Sequence, residues 1–369
     1  MPVLQRELPA DQGLTALLGH INLAHTFRGG ERQTELLIRG LAAYLPRQRA
    51  VVRAGRPLEK RLADVPGVTV LPVHGRAGAI RAVKGCTLVH AHETGGAQAA
   101  LVRNLLSGTP YVITRRVDKL PKSDPFTRAM YARAGAIAGL SNAVIRCLQR
   151  YDASLEPRRI PSASSGVSSD TAWVEAFRAR FPGKFLVGHV AAIDVEHKGQ
   201  LTLVAAAEKL ERDYPQIHFI VVGSGRDEER LRQAAASLSN MSFTGWVENV
   251  ADYLAAFDLF AFPSKHEGLG SILIDAMQFG LPIVATSVGG IPDLIIDGEN
   301  GMLIAEDDGD GLADAIARLF SDAALRDAIA RANRLRARDY HPQIMTARYL
   351  ELYRELVPDL VPSSAGAAA

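Results

Sequence analysis

Two acids eight residues apart, Glu267 and Asp275, stand in a stretch whose residue types suit the handling of a phosphorylated sugar. It runs from Phe262 to Ile295 as FPSKHEGLGSILIDAMQFGLPIVATSVGGIPDLI. An apolar run, Phe257 to Pro263, predicts a strand, and a Glu-Gly-x-Gly loop (Glu267, Gly268, Gly270) follows it. A helical pattern then covers Ser271 to Gln278, Gly-Leu-Pro stops it, and Ile283 to Thr286 reads as a second strand. A strand that turns through glycines into a helix leaves backbone N–H groups unpaired at the positive helix end, where anions and above all phosphate bind. Glu267 and Asp275 can flank such a pocket and accept hydrogen bonds from sugar hydroxyls. The plainer alternative is an ordinary strand-loop-helix unit with a solvated Glu and a helix Asp.

Glu-Gly-x-Gly, an acid eight residues after the first Glu, Ala-Met, Gly-x-Pro-Ile-Val-Ala-Thr and Gly-Gly-Ile-Pro-Asp together resemble the signature of family 4 retaining glycosyltransferases. The resemblance is dense from about Val187 to Glu306. It implies an α/β protein of the GT-B fold, two Rossmann-like domains facing across a cleft, that moves a sugar from a nucleoside diphosphate sugar with retention. It also implies that Glu267 contacts the transferred sugar and Asp275 the ribose hydroxyls, with main-chain groups of Gly268, Leu269, Gly270 and Ser271 at the diphosphate. The usual second acid is Glu; Asp275 is one methylene shorter, which pulls its oxygens back by roughly 1.5 Å. That departure leaves open a sugar-nucleotide-binding protein that no longer transfers. A sugar-nucleotide epimerase, which would need paired acid and base groups, is a third reading.

The remaining elements must place these groups. Leu14 to Leu23 predicts the first strand, followed by Gly29-Gly30 and a helix to about Tyr44. Paired glycines before a helix permit close approach of a ligand, and the similar loop in the family faces the donor phosphates and the acceptor. Strand patterns recur at Ala50 to Arg53, Val68 to Val73, Thr87 to Ala91, Tyr111 to Thr114 and Ala136 to Leu140, with helical stretches between most of them. This alternation predicts a parallel sheet covered on both faces, with ligands at the carboxyl ends of its strands. Two places are thereby selected, His90-Ala91-His92-Glu93 and Thr114-Arg115-Arg116. His90 and His92 share a strand face and could chelate, but no third ligand lies nearby in the sequence and no metal is expected. His92 is the one expected to reach the cleft. The family often carries Thr-x-His at the second place; here Arg116 occupies the His position. Arg115 and Arg116 can hold an anion, either the donor diphosphate or a phosphate or carboxylate of the acceptor.

Arg158 to Asp170, rich in Ser, Gly and Pro, reads as an interdomain linker. The expected division is an acceptor-side domain over 1–165, a nucleotide-sugar-binding domain over 166–343, a helix over 344–358 that packs back on the first domain, and a disordered tail over 359–369. Beyond the linker, Lys198-Gly199 resembles the family's phosphate-binding Lys-Gly. The Arg that normally accompanies it is missing, since Ala192 or His189 stands there, and Arg115 or Arg116 is expected to supply the charge. Gly223-Ser224-Gly225 lacks the third glycine of a dinucleotide fingerprint, Glu228 being in its place. The resemblance puts Gly223 beside the donor and main-chain groups around Val247 at the base, which leaves UDP, GDP and ADP undistinguished. Asp308-Gly309-Asp310 spells a metal-binding Asp-x-Asp, but it opens a helix, where acids cap free N–H groups. Fixed donors in place of metal (Lys198, the helix amides, the Gly29-Gly30 loop and Arg116) are expected to stabilise the leaving diphosphate. No cofactor is called for beyond the donor substrate.

The chain has 369 residues, 47% of them hydrophobic, which predicts two domains. No apolar run approaches the roughly 18 residues of a membrane span. Met1 to Gly13 lacks a secretory pattern, and two lone cysteines, Cys86 and Cys147, suit a reducing compartment, so a cytoplasmic protein is expected. The net charge of +2 hides an asymmetry: up to Ser165 there are 24 Lys and Arg against 11 Asp and Glu, leaving 18 against 29 thereafter. A basic first domain without a nucleic-acid motif points to an anionic membrane surface or glycan, with a lipid-linked or lipopolysaccharide-type acceptor. Arg-rich surface usage alone would give the same count.

Overall fold

The computed structural model describes residues 16–360. The expectations for Met1 to Gly13 and for the tail after Leu360 lie outside them.

The first sheet is built from β1 (Leu18–Asn22), β2 (Gln48–Arg53), β3 (Val68–Val73), β4 (Leu88–Ala91), β5 (Tyr111–Arg115), β6 (Ala136–Gly139) and β7 (Arg158–Arg159). The second contains β8 (Phe185–Val190), β9 (Ile217–Val222), β10 (Met241–Gly245), β11 (Leu259–Phe262), β12 (Ile283–Thr286) and β13 (Met302–Ile304). Both are wholly parallel, in the orders β3-β2-β1-β4-β5-β6-β7 and β10-β9-β8-β11-β12-β13. Continuous apolar strands such as IHFIVV of β9, buried at every position, are what helices on both faces require. The chain order reverses between β1 and β4 and again between β8 and β11. Those two crevices are where a doubly wound sheet binds ligands.

Each sheet carries a core on either face. In the second, Phe260 and Phe262 pack with Leu273, Ile274 and Met277 on one side, while Val187, Phe219 and Ala261 pack with Leu203, Leu312 and Ile316 on the other. In the first, the two free cysteines are buried, Cys86 among Val83, Val89 and Leu101. The final helix, Pro342–Leu356, closes the other face of this same sheet: Met345, Tyr349, Leu352 and Tyr353 pack with Leu37, Leu41, Leu88 and Val112.

One difference from the sequence reading is β7, whose two residues fall in the presumed linker but pair with Ala138 and Gly139 as a seventh, edge strand. The segment beyond it is tied to both halves. Gln33 exchanges hydrogen bonds with the Ala163 backbone (2.7 and 2.8 Å), and Ser165 donates through its N–H and hydroxyl to Asp275 (2.6 and 2.8 Å). Among the described residues no helix is long and apolar enough to cross a membrane.

Candidate active site

At the crevice of the second sheet, the turn after β8 and the loop after β11 are stitched together. Lys265 and His266 both donate backbone N–H groups to the His197 carbonyl (2.9 and 3.3 Å). Gly199 takes φ 65°, and a Cβ there would overlap the Pro263 carbonyl oxygen, so the glycine after Lys198 is demanded by backbone geometry. The result brings Lys198 Nζ to 2.6 Å from Glu267 Oε2, with the two side chains 25% and 17% exposed. Gly270, at φ 86°, begins the helix Ser271–Gln278, and no side chain caps it. Its first N–H groups are therefore available to a ligand.

Sequence reasoning did not assign a task to the Gly-Gly of Gly-Gly-Ile-Pro-Asp. The structure does: Gly290 N–H donates to the Glu267 carbonyl at 2.9 Å, and a side chain on Gly289 would overlap that same oxygen. The pair fixes the backbone on which Glu267 and Gly268 stand. Gly223, at the end of β9, lies against the Ala191 carbonyl and accepts no Cβ there, while its N–H bonds to the Gly245 carbonyl at 2.9 Å. Val247 packs at the margin of the core beside this edge. His189, one position at which the missing Arg was sought, is buried and bonded to the Ala261 carbonyl, and burial pushes its pKa down to about 4. It is a neutral core residue and supplies no charge.

Across the cleft, Gly268 abuts the Arg116 carbonyl so closely that a Cβ would overlap it, and Ser141 donates to the Gly268 carbonyl at 2.6 Å. The Arg116 side chain passes over Gly30, its Cδ 3.3 Å from where a Cβ of that glycine would be. Arg116 thus joins the Gly29-Gly30 helix start to the Glu267 loop. Its side chain forms no hydrogen bond or ion pair among the described residues, Nε is buried without a partner, and burial lowers its pKa. An unpaired, partly desolvated guanidinium favours any anion brought to it. Arg115 behaves differently: its guanidinium bonds the carbonyls of Val117 and Lys119 and shapes that loop instead of facing a ligand alongside Arg116.

Asp275 is buried, and both its oxygens accept from Ser165, so the second acid of the motif also grips the interdomain segment. Burial raises its pKa to about 6 against the lowering effect of the Ser165 bonds and the Arg32 charge. Asp308 caps its helix through Gly311 N–H at 2.7 Å, and Asp310 pairs with Lys209 at 3.0 Å, as the capping reading of Asp-x-Asp requires.

His92 stands at the crevice of the first sheet with a partner that sequence distance concealed. His20, from β1, brings a ligand atom within 4.8 Å of those of His90 and His92. Five of the six ring nitrogens are already bonded: His20 to Gln48 and His92 (both 3.0 Å), His90 to Tyr353 (2.6 Å) and Thr114 (2.7 Å). Burial holds all three well below neutral pKa, His20 at about 4. A cation would have to break this network and face Arg116, so the residues fit a polar core cluster better than a metal centre. Only the period-two placement of His90 and His92 was readable in advance.

The fold is GT-B: two parallel, doubly wound α/β halves meeting at a cleft. Solved structures share it, including Anabaena Alr3699/HepE in complex with UDP and glucose (TM-score 0.79, 19% identity, covering 92% of this chain and 100% of that one). Sucrose-phosphate synthase from Thermosynechococcus elongatus is another (TM-score 0.77, 20% identity, 93% and 99%). Residues 184–322 match the family model described as "Glycosyl transferases group 1". Curated relatives include the lipopolysaccharide core biosynthesis glycosyltransferase LpsE of Rhizobium meliloti, 32% identical over 43% of this chain and 46% of that protein. The phosphatidyl-myo-inositol mannosyltransferase of Mycolicibacterium smegmatis is 32% identical over 43% and 42%. The match to each of these two thus spans less than half of the relative's length. A 2-deoxystreptamine N-acetyl-D-glucosaminyltransferase of Streptomyces fradiae matches over 87% of this chain and 81% of its own length at 26% identity.

Proposed function

We propose that the chain is a retaining, metal-independent glycosyltransferase that moves a sugar from a nucleoside diphosphate sugar to a glycan or lipid-linked acceptor. The observation that carries this reading is the Lys198–Glu267 pair at 2.6 Å, beside the glycine-led start of the helix Ser271–Gln278. Breaking the sugar–phosphate bond puts negative charge on the departing diphosphate. Lys198, the amides from Gly268 to Ser271 and Arg116 are donors fixed in advance where that charge develops, which lowers the barrier electrostatically. Glu267 receives hydroxyls of the transferred sugar, Asp275 those of the ribose, and the leaving phosphate helps deprotonate the acceptor. A fold neighbour solved in complex with UDP and glucose, matched over 92% of this chain, supports the donor class.

For the acceptor we favour a lipopolysaccharide-type or lipid-linked glycan reached at the inner membrane face. The names of two relatives support this, and so does the loop after β5. Val117 and Leu120 are exposed there (49% and 56%) and Phe126 (42%) on the helix that follows, Pro125–Ala132, with Lys119, Lys122 and Arg128 outnumbering Asp118 and Asp124 among them. Apolar tips among basic residues suit an anionic bilayer. Flotation with vesicles containing anionic lipid at low salt tests the membrane contact, and its loss in Leu120→Asp is the expected control.

The bonding of both Asp275 oxygens to Ser165 favours one other reading, a protein that binds the donor without transferring. Sugar-nucleotide turnover that appears only when an acceptor is added decides for the transferase; binding without turnover for any acceptor decides for the binding protein.

A further inference from the structure

The protons of the histidine cluster can be assigned from one end. Gln48 Nε2 meets the Ile38 carbonyl at 3.2 Å, a contact that needs the amide N–H, so Gln48 Oε1 is the atom facing His20 Nε2 at 3.0 Å. His20 therefore carries its proton on Nε2, and its Nδ1 is a lone pair. That lone pair lies 3.0 Å from His92 Nε2, which must donate to it. A neutral imidazole carries one ring proton, so His92 Nδ1 has none. It is a buried acceptor for which the described residues supply no donor. Buried polar atoms are normally paired, and an unpaired one at the crevice of a doubly wound sheet marks a place for a ligand.

The chemistry of that ligand follows from its surroundings. Arg116 Nε–H is a buried donor without an acceptor, and the Arg116 charge is near enough to push His92 and His90 further below neutral. An ionised phosphate or carboxylate has no proton to give Nδ1, and an ammonium would be repelled by Arg116. A hydroxyl both donates and accepts.

We infer that His92 Nδ1 receives a substrate hydroxyl, whose oxygen accepts in turn from Arg116 Nε–H, and that Gln48 and His20 are positioning residues that lock His92 in the tautomer this requires. The inference rests on the glycosyltransferase reading for the source of the hydroxyl, which is the transferred sugar or the acceptor. His92, held neutral by burial, orients that hydroxyl and does not take up its proton.

Histidine-selective ¹⁵N spectra of the full chain test the tautomer with no ligand present. Nε2 of His20 and His92 is expected protonated and His92 Nδ1 bare. In Gln48→Met, which cannot accept from His20, both rings are expected to become tautomer mixtures. A protonated His92 Nδ1 in the wild type overturns the inference. UDP, UDP-glucose, GDP-mannose and methyl α-mannoside are then added in turn. A change at His92 Nδ1 with a sugar nucleotide but not with UDP assigns the hydroxyl to the transferred sugar. A change only when the glycoside joins the nucleotide assigns it to the acceptor. The same change with UDP alone, or none with a sugar nucleotide that is shown to bind, overturns the inference. In turnover assays, loss of the acceptor at the His92 Nδ1 position acts on the KM of the substrate that supplies the hydroxyl. His92→Gln, which cannot place an acceptor there, should raise the corresponding KM by about tenfold. Because the tautomer is read on the free protein, failure to bind any sugar nucleotide sinks the functional reading separately from this one.

Discussion

The ammonium of Lys198 lies 2.6 Å from Glu267 Oε2, although 69 residues separate them, because the His197 carbonyl and Gly199 lock one loop onto the other. Each charge is the other's partner, and in the proposed reaction a diphosphate competes for the lysine. Lys198→Met is expected to lower turnover by about 10²- to 10³-fold, as removal of a fixed donor at developing charge does. Both side chains are partly exposed, so stability should change by only about 0–1 kcal/mol. Steady-state kinetics beside a thermal melt would separate the two; a large melting shift with normal turnover would assign the pair to structure.

Gly199→Ala must fail for a different reason. It sets a Cβ against the Pro263 carbonyl at φ 65°. Backbone strain of this kind costs about 1–3 kcal/mol before the overlap is counted. A chemical-denaturation midpoint equal to that of wild type would show that the two loops are not held as described.

Asp275 gives a pH signature. Its carboxyl is raised from its ordinary 3.8 to about 6, chiefly by burial, so the folded state holds the proton more tightly than the unfolded chain. The stability this contributes is complete below about pH 4 and is lost as pH rises through about 6. Asp275→Asn removes the titration, so the variant should gain on wild type between pH 4 and pH 7, by about 3 kcal/mol at most. A stability difference that stays flat over that window contradicts the burial of a titrating Asp275. Weaker nucleotide binding by the same variant is expected if the carboxylate also serves the ribose.

Tyr353 ties the returning helix to the first sheet through His90 Nδ1 at 2.6 Å, both groups being fully buried. Tyr353→Phe leaves the imidazole one partner short and should cost about 1–3 kcal/mol. An unchanged melting temperature would mean that this hydrogen bond contributes nothing to holding the helix on the sheet.

Local pattern carried much of the architecture. Alternating strands and helices implied two parallel sheets, and Glu-Gly-x-Gly marked the loop where a helix start, Glu267 and Lys198 meet. What was hidden depends on distance along the chain. His20 lies 72 residues from His92, and Ser165 lies 110 from Asp275, so neither pairing leaves a spacing to read. The two arginines after β5 look alike in sequence, yet Arg115 is drawn to the Val117 and Lys119 carbonyls while Arg116 stays unpaired, a difference set by loop shape. β7 was missed because two residues carry no periodicity.

The most direct test of the central claim is thermal stabilisation by UDP, GDP, ADP and NAD, each with and without Mg²⁺, on wild type and Lys198→Met. A ligand at about 100 times its dissociation constant stabilises by about 2.7 kcal/mol, well within reach of the assay. The account predicts that a nucleoside diphosphate raises the melting temperature without metal and that the variant loses most of the shift. Stabilisation by NAD alone, by a diphosphate only when Mg²⁺ is present, or equally in both proteins would contradict it.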